Sequence, residues 1–213
     1  MPAARESLLN AALAALRDLP WSGIRMVDVA SAAGVSRQTL YNEFGSKDGL
    51  ARALVRREAD AYLRGVDRLM AQSASVAERL VSVAEWTVGE ARARPVLRAL
   101  LTGCWGERLP VPLPVRGGTV VSRVPAQRRA DARLPGPAEL VAAVRDRSLG
   151  VPGHGRRPGD GGGGAGDLSQ RCELAVRLAL SFVVAPAGGS VAQMVRTAVG
   201  DGITATSPRA ADR

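Results

Sequence analysis

The apolar positions of this chain fall at helical spacing almost throughout. Leu8, Leu9, Ala12, Leu13, Leu16 and Leu19 recur at intervals of three and four, which predicts an amphipathic helix over residues 5–19, ended by Pro20. Residues 26–33 predict a helix of about two turns that stops at Gly34, and a second short helix follows from an N-cap at Ser36 to Phe44, where Gly45 breaks it. Ser46 offers a further N-cap with Asp48 in the first turn, and an apolar stripe through Leu50, Ala53, Leu54 and Ala61 carries that helix to about residue 72. Residues 76–93 and 95–103 predict two more helices, then 137–149, 168–185 and 190–199. No alternating strand pattern and no internal repeat occur, so the expected class is all-α.

Between residues 106 and 167 the texture changes: 13 of the 24 glycines and 8 of the 13 prolines lie there, without an aromatic residue. The Gly/Pro/Arg-rich tract at about 106–167 is expected to be flexible, with Gly159 to Gly166 as a linker. Two readings of the tract stay open, a long disordered insertion or the product of compensating frameshifts. The expected division is a head over residues 1–50 and a helical remainder over residues 51–213 that includes the tract.

Composition changes this picture only in part. The net charge of +9 suggests nucleic acid as a partner, yet residues 1–70 carry 10 basic and 8 acidic groups, so bulk charge does not single out the head. Of 29 basic residues 28 are arginine, a bias expected of a GC-rich gene, which makes the single lysine, Lys47, noticeable. No apolar run is long enough to span a membrane, and the N-terminus lacks the pattern of a secretion signal, so a cytoplasmic protein without membrane contact is expected. Cys104 and Cys172 lack metal or redox spacing and are expected to be buried thiols.

The segment Ala32 to Leu50 carries the chemistry. Two short helices joined around Gly34 describe a helix-turn-helix: Ala30 is small enough for a close helix crossing, Gly34 tolerates positive φ, and Val35 with Leu40 supplies the apolar wedge. The second helix then presents Ser36, Arg37, Gln38, Thr39, Tyr41 and Asn42, a set of donors and acceptors with no acid among them. A major groove calls for such a surface: Arg37 matches guanine O6 and N7, Gln38 matches adenine N6 and N7, and Thr39 offers a methyl to thymine or a hydroxyl to phosphate. Tyr41 and Lys47 suit phosphates, Lys47 from a helix N-terminus that already favours an anion.

The run "VDVASAAGVSRQTLYNEFGSKDGL" resembles the N-terminal DNA-binding domain of TetR-family transcriptional regulators, over about residues 5–60. The resemblance implies a three-helix head, a C-terminal helical domain that binds a small-molecule effector and dimerises, and repression of a palindromic operator that ligand releases. Arg25 stands where the family usually carries a threonine that caps the second helix and touches phosphate; an arginine reaches phosphate but does not cap. Gln38 replaces a common glycine, and Glu43 a common histidine, so Glu43 is not counted as a contact. The helices at 168–185 and 190–200 occupy the place of the family's dimerising pair, the competing reading being a core helix of a monomer.

Other motifs weigh less. Gly159, Gly161 and Gly164 fit a dinucleotide pattern without the strand it needs, and His154 lies between glycines without partners, so neither a cofactor nor a metal site is expected. Trp86, Trp105, Met70, Cys104 and Phe182 are candidates for an effector cavity or for ordinary core. Arg56 and Arg57, followed by Glu58 and Asp60, read as a solvated helix face. An alternative is a helical small-molecule-binding or enzymatic protein whose N-terminal motif is only structural; no convergent acid, base or nucleophile set supports it, and an enzyme is not expected.

Overall fold

A computed structural model describes residues 2–72, 74–112, 134–149, 164–186 and 188–199. Among the described residues the chain forms nine α-helices and no strand. They are α1 (Pro2–Asp18), α2 (Met26–Ala32), α3 (Arg37–Phe44), α4 (Lys47–Met70), α5 (Val76–Ala93), α6 (Pro95–Thr102), α7 (Pro137–Leu149), α8 (Gly164–Val184) and α9 (Val191–Val199), with a 3-10 turn at Trp21–Gly23 between α1 and α2. The protein is all-α, an N-terminal helix-turn-helix head followed by a C-terminal helical bundle.

Local chemistry explains where the helices begin and end. Ser36 Oγ accepts the Thr39 amide at the start of α3, and Ser46 Oγ accepts the Gly49 amide at the start of α4. Ser75 and Glu78 form a reciprocal capping box on α5, and α6 starts at Pro95, where the missing N–H costs nothing. The turn between α2 and α3 rests on Gly34, whose φ of +67° a side chain would strain.

Two apolar cores meet along α4. The head core joins Leu8, Leu9 and Ala12 of α1 to Val29 and Ala30 of α2, Leu40 and Phe44 of α3, and Leu50, Ala53 and Leu54 of α4. The bundle core begins one residue later at Val55 and gathers Ala59, Tyr62, Val66 and Met70 of α4 with apolar faces of α5 to α9. Within it α8 packs against α5, α7 and α9, while α4 packs against α5, α6 and α7. One close approach shapes this core. The Tyr62 and Trp86 rings stack with centroids 5.4 Å apart, and Trp86 comes so near Gly65 that a Cβ there would lie 1.9 Å from the indole.

The polar groups of the bundle core are paired. Tyr62 Oη lies 3.1 Å from Thr87 Oγ1, which itself donates to the Val83 carbonyl, and burial pushes the Tyr62 phenol up to about 12. Glu58, expected on a solvated face, is instead only 2% exposed and accepts Arg94 Nη2 at 2.9 Å. The reason is that α4 is covered on several sides, and Arg94, at the α5–α6 junction, reaches across to it. Burial works against the Arg94 charge, but its hydrogen bond to Glu90 and the charge of Glu58 outweigh that, so its pKa lies above the ordinary arginine value. Arg57 likewise leaves the solvent: it donates to Asn10 Oδ1 at 2.7 Å and to the Leu9 carbonyl at 3.3 Å, tying α4 to α1.

Two further expectations are corrected. The linker placed at Gly159 to Gly166 ends early, because α8 starts at Gly164, supported by Asp167 in its first turn and its 3.1 Å pair with Arg171. Cys104 is exposed in the loop after α6, whereas Cys172 is buried in the bundle core. His154 and, of the tract expected to be flexible at about 106–167, residues 113–133 and 150–163 lie outside the described residues. Met70 and Phe182 belong to the bundle core, and Trp86 and Trp105 pack against it.

Candidate nucleic-acid interface

The reading surface is built on the head core. Leu40 and Phe44 turn inward from α3 and are 0% and 2% exposed, which leaves the opposite face of this eight-residue helix to solvent. Val35 packs partly buried beside them, so the wedge assigned to Val35 and Leu40 is in place. On the outer face Ser36, Arg37, Gln38 and Asn42 are exposed, and Thr39 and Tyr41 are half-buried at its edges.

These side chains pair within the helix at spacings of three and four. Ser36 Oγ and Thr39 Oγ1 lie 2.8 Å apart, the Arg37 guanidinium sits 5.5 Å from the Tyr41 ring centroid, and Gln38 Nε2 donates to Asn42 Oδ1 at 2.9 Å. Such contacts hold long side chains in few rotamers before any partner arrives, which lowers the entropy lost on binding.

Around α3 stand the groups suited to a phosphate backbone. Arg25 occupies the N-cap position of α2 without a side-chain cap, as its chemistry requires. Its guanidinium instead forks onto Asp28, with bonds of 2.8 and 3.0 Å, and that hydrogen bond and the carboxylate charge raise its pKa above the usual arginine value. Lys47, in the first turn of α4, donates to the Ser22 carbonyl at 3.2 Å and lies 5.4 Å from the Trp21 ring centroid. Glu43 faces α1, 3.4 Å from Arg5, whose guanidinium also covers the Phe44 ring. The carboxylate is thereby engaged inside the head.

The structure thus brings Ser36, Arg37, Gln38, Thr39, Tyr41 and Asn42 onto one helix, with Arg25 and Lys47 at the starts of the helices that flank it. Sequence reasoning missed Trp21 and Ser22 as the seat of Lys47 and Asp28 as the partner of Arg25. The Arg25–Asp28 spacing of three was a signal available on a helix start; the Lys47 contact, 25 residues apart, had none. The turn that seats Lys47 is also joined to the bundle, since the Trp21 amide donates to the Arg108 carbonyl at 2.9 Å and Arg108 Nη2 donates to the Asp18 carbonyl at 3.2 Å.

A capped recognition helix on a three-helix head defines a helix-turn-helix protein. Residues 8–54 match the family described as bacterial regulatory proteins, tetR family. The head of this chain is thus similar to the DNA-binding domain of that family. It is 42% identical over 106 residues to the HTH-type transcriptional regulator AlkX of Mycobacterium tuberculosis, a match covering 47% of this chain and 50% of that protein. The chain therefore spans about half the length of the curated relatives it matches. In fold it is similar to the TetR family repressor AlkX of Dietzia sp., implicated in biodegradation of n-alkanes, with a TM-score of 0.51 and 16% identity over 92% of this chain and 93% of that one. It is equally similar to a tetR-family transcriptional regulator from Streptomyces coelicolor, with a TM-score of 0.51 and 20% identity over 93% of this chain and 78% of that one.

Proposed function

We propose that the chain is a ligand-responsive transcriptional repressor that binds a palindromic double-stranded DNA operator as a homodimer. What carries the reading is the outer face of α3, where Arg37, Gln38 and Asn42 are exposed over a packed core while the one acid of the helix, Glu43, turns to Arg5. In this reading Arg37, Gln38 and Asn42 meet base edges, Thr39 meets thymine or phosphate, and Arg25, Ser36, Tyr41 and Lys47 hold the backbone. Arg25 leaves Asp28 for a phosphate, an exchange that the exposure of both side chains makes easy. The head over residues 1–50 is the DNA-binding domain, and residues 51–213 form the regulatory and dimerising domain.

The dimer is assigned to α8 and α9. A groove between them joins Leu174, Leu178, Met194 and Ala198 with Ser190, Gln193 and Thr197, and Leu174 and Met194 are large apolar side chains left exposed in it. To read two half-sites, two copies joined on this face have to present their recognition helices about 34 Å apart, one turn of DNA. A small-molecule effector in the bundle lowers operator affinity by binding more tightly to a conformation in which α4, shared by both cores, has moved.

Fluorescence anisotropy of the purified chain against its own upstream DNA and a scrambled duplex tests the reading. Preference for the native duplex of about 10³-fold, weakened by salt and lost with Arg37→Ala, is expected. Equal binding to both duplexes by a protein of dimeric mass would sink it. Leu174→Glu with Met194→Glu, which sets like charges against each other across a twofold face, should halve the molar mass in light scattering; an unchanged mass would remove the dimer from this face.

A further inference from the structure

The exposed amide of Gln38 has a partner four residues on, and that contact constrains what Gln38 can read. A primary amide offers a bidentate edge made of its carbonyl oxygen and one N–H, while its second N–H points to the side. Gln38 Nε2 gives one N–H to Asn42 Oδ1 at 2.9 Å, and both residues are exposed on α3. The other N–H and the carbonyl oxygen remain for a ligand. Rotating the Gln38 amide alone by half a turn would bring its oxygen against Asn42 Oδ1, two acceptors facing each other, so while Asn42 turns its oxygen toward Gln38 the contact favours one orientation. An edge of one donor and one acceptor fits adenine, which presents the N7 acceptor beside the N6 donor. Guanine presents two acceptors, N7 and O6, and the Gln38 oxygen would be set against one of them. The lock therefore favours adenine and penalises guanine at the same position.

We propose that Asn42 is a positioning residue for Gln38 and that the pair reads one adenine in each half-site, rather than the two side chains reading separate bases. The proposal rests on the assignment of α3 as the DNA-reading helix. It also explains why this helix carries an amide at both positions: with Asn42 engaged through its oxygen, only its N–H donors are left to the DNA, and these suit phosphate or any acceptor without discriminating as an adenine reader does.

The experiment is selection of bound duplexes from a random-sequence library by the full-length chain. Anisotropy titrations of the selected half-site and its single-base variants follow, for the wild type, Gln38→Ala, Asn42→Ala, Asn42→Asp and the Gln38→Ala/Asn42→Ala double variant. All substituted positions are exposed, and circular dichroism checks that the helices persist. The wild type should prefer adenine over guanine at one base pair by about tenfold or more. Gln38→Ala and Asn42→Ala should each erase the preference at that same base pair, the double variant should lose no more than Gln38→Ala, and Asn42→Asp, which keeps the acceptor, should restore the preference at lower overall affinity. Loss at two different base pairs would overturn the proposal, as would a uniform loss of affinity in Asn42→Ala with the adenine preference intact. Both outcomes leave the DNA-reading assignment standing. If the wild type selects no site at all, that assignment falls and the proposal with it.

Discussion

The head and the bundle are stabilised in opposite ways. In the head the amide and guanidinium groups of α3 sit on the surface, and the core beneath α3 is apolar and built from short helices with serine caps. In the bundle the polar groups lie inside: Glu58 against Arg94, Tyr62 against Thr87, and an indole laid over a glycine. The difference fits the roles proposed for the two regions. A reading surface needs charged and amide groups held out toward a partner on a rigid base, and local caps with small residues are enough to supply that base. A bundle assembled from six helices, some joined by long connections, has to fix which helix meets which, and buried pairs do so because each is costly when its partner is missing.

The comparison breaks first where a buried charge loses its partner. Arg94→Met leaves Glu58 buried without a counter-charge and should cost about 3 kcal/mol in urea unfolding, with Glu58→Gln costing less because Arg94 keeps Glu90. Equal and small losses in the two variants would mean that water reaches Glu58.

Tyr62 makes the next test, through pH. The folded chain holds the phenol proton to about 12, whereas the unfolded chain releases it near 10, so the stability from the buried neutral phenol is complete below pH 10 and falls as pH rises through that window. The total is roughly 2–3 kcal/mol, and Tyr62→Phe should flatten the slope above pH 10. A slope unchanged by Tyr62→Phe would assign it to other groups.

Gly65→Ala should then destabilise the bundle by about 2 kcal/mol through overpacking against Trp86. Adding Trp86→Leu should recover part of the loss, and a loss untouched by the second change would place its cause elsewhere. The smallest effect belongs to the head. Ser36→Ala removes the α3 cap and should cost about 1 kcal/mol, and it should weaken binding to the selected duplex more than the thermal midpoint suggests, since the first turn of α3 is the end proposed to meet DNA. A drop of several kcal/mol would show that the head is as interlocked as the bundle.

Much of this protein was legible from its residues. The helices at 26–33, 36–44 and 76–93 appear within a residue or two of expectation, because their boundaries are set by the residues next to them: Gly34, Ser36, Gly45 and Ser75 act through their own backbone and hydroxyl groups. That Arg37, Gln38 and Asn42 share the exposed face of α3 was legible for the same reason, since position on one short helix decides which face a side chain takes.

What only the tertiary structure decided involves residues far apart in the chain. Glu58 looked like part of a charged, solvated face, and nothing near it announced Arg94, which comes from the next helical junction. Gly65 gave no sign that an indole from α5 would lie over it, and Lys47 none that its ammonium would rest on the Ser22 carbonyl. Helix periodicity and capping depend on neighbours within about four residues, so the sequence by itself determined the elements and the outward chemistry of α3. Burial and pairing depend on how helices from distant segments meet, and three-dimensional packing alone decided which charges went inside and what met them.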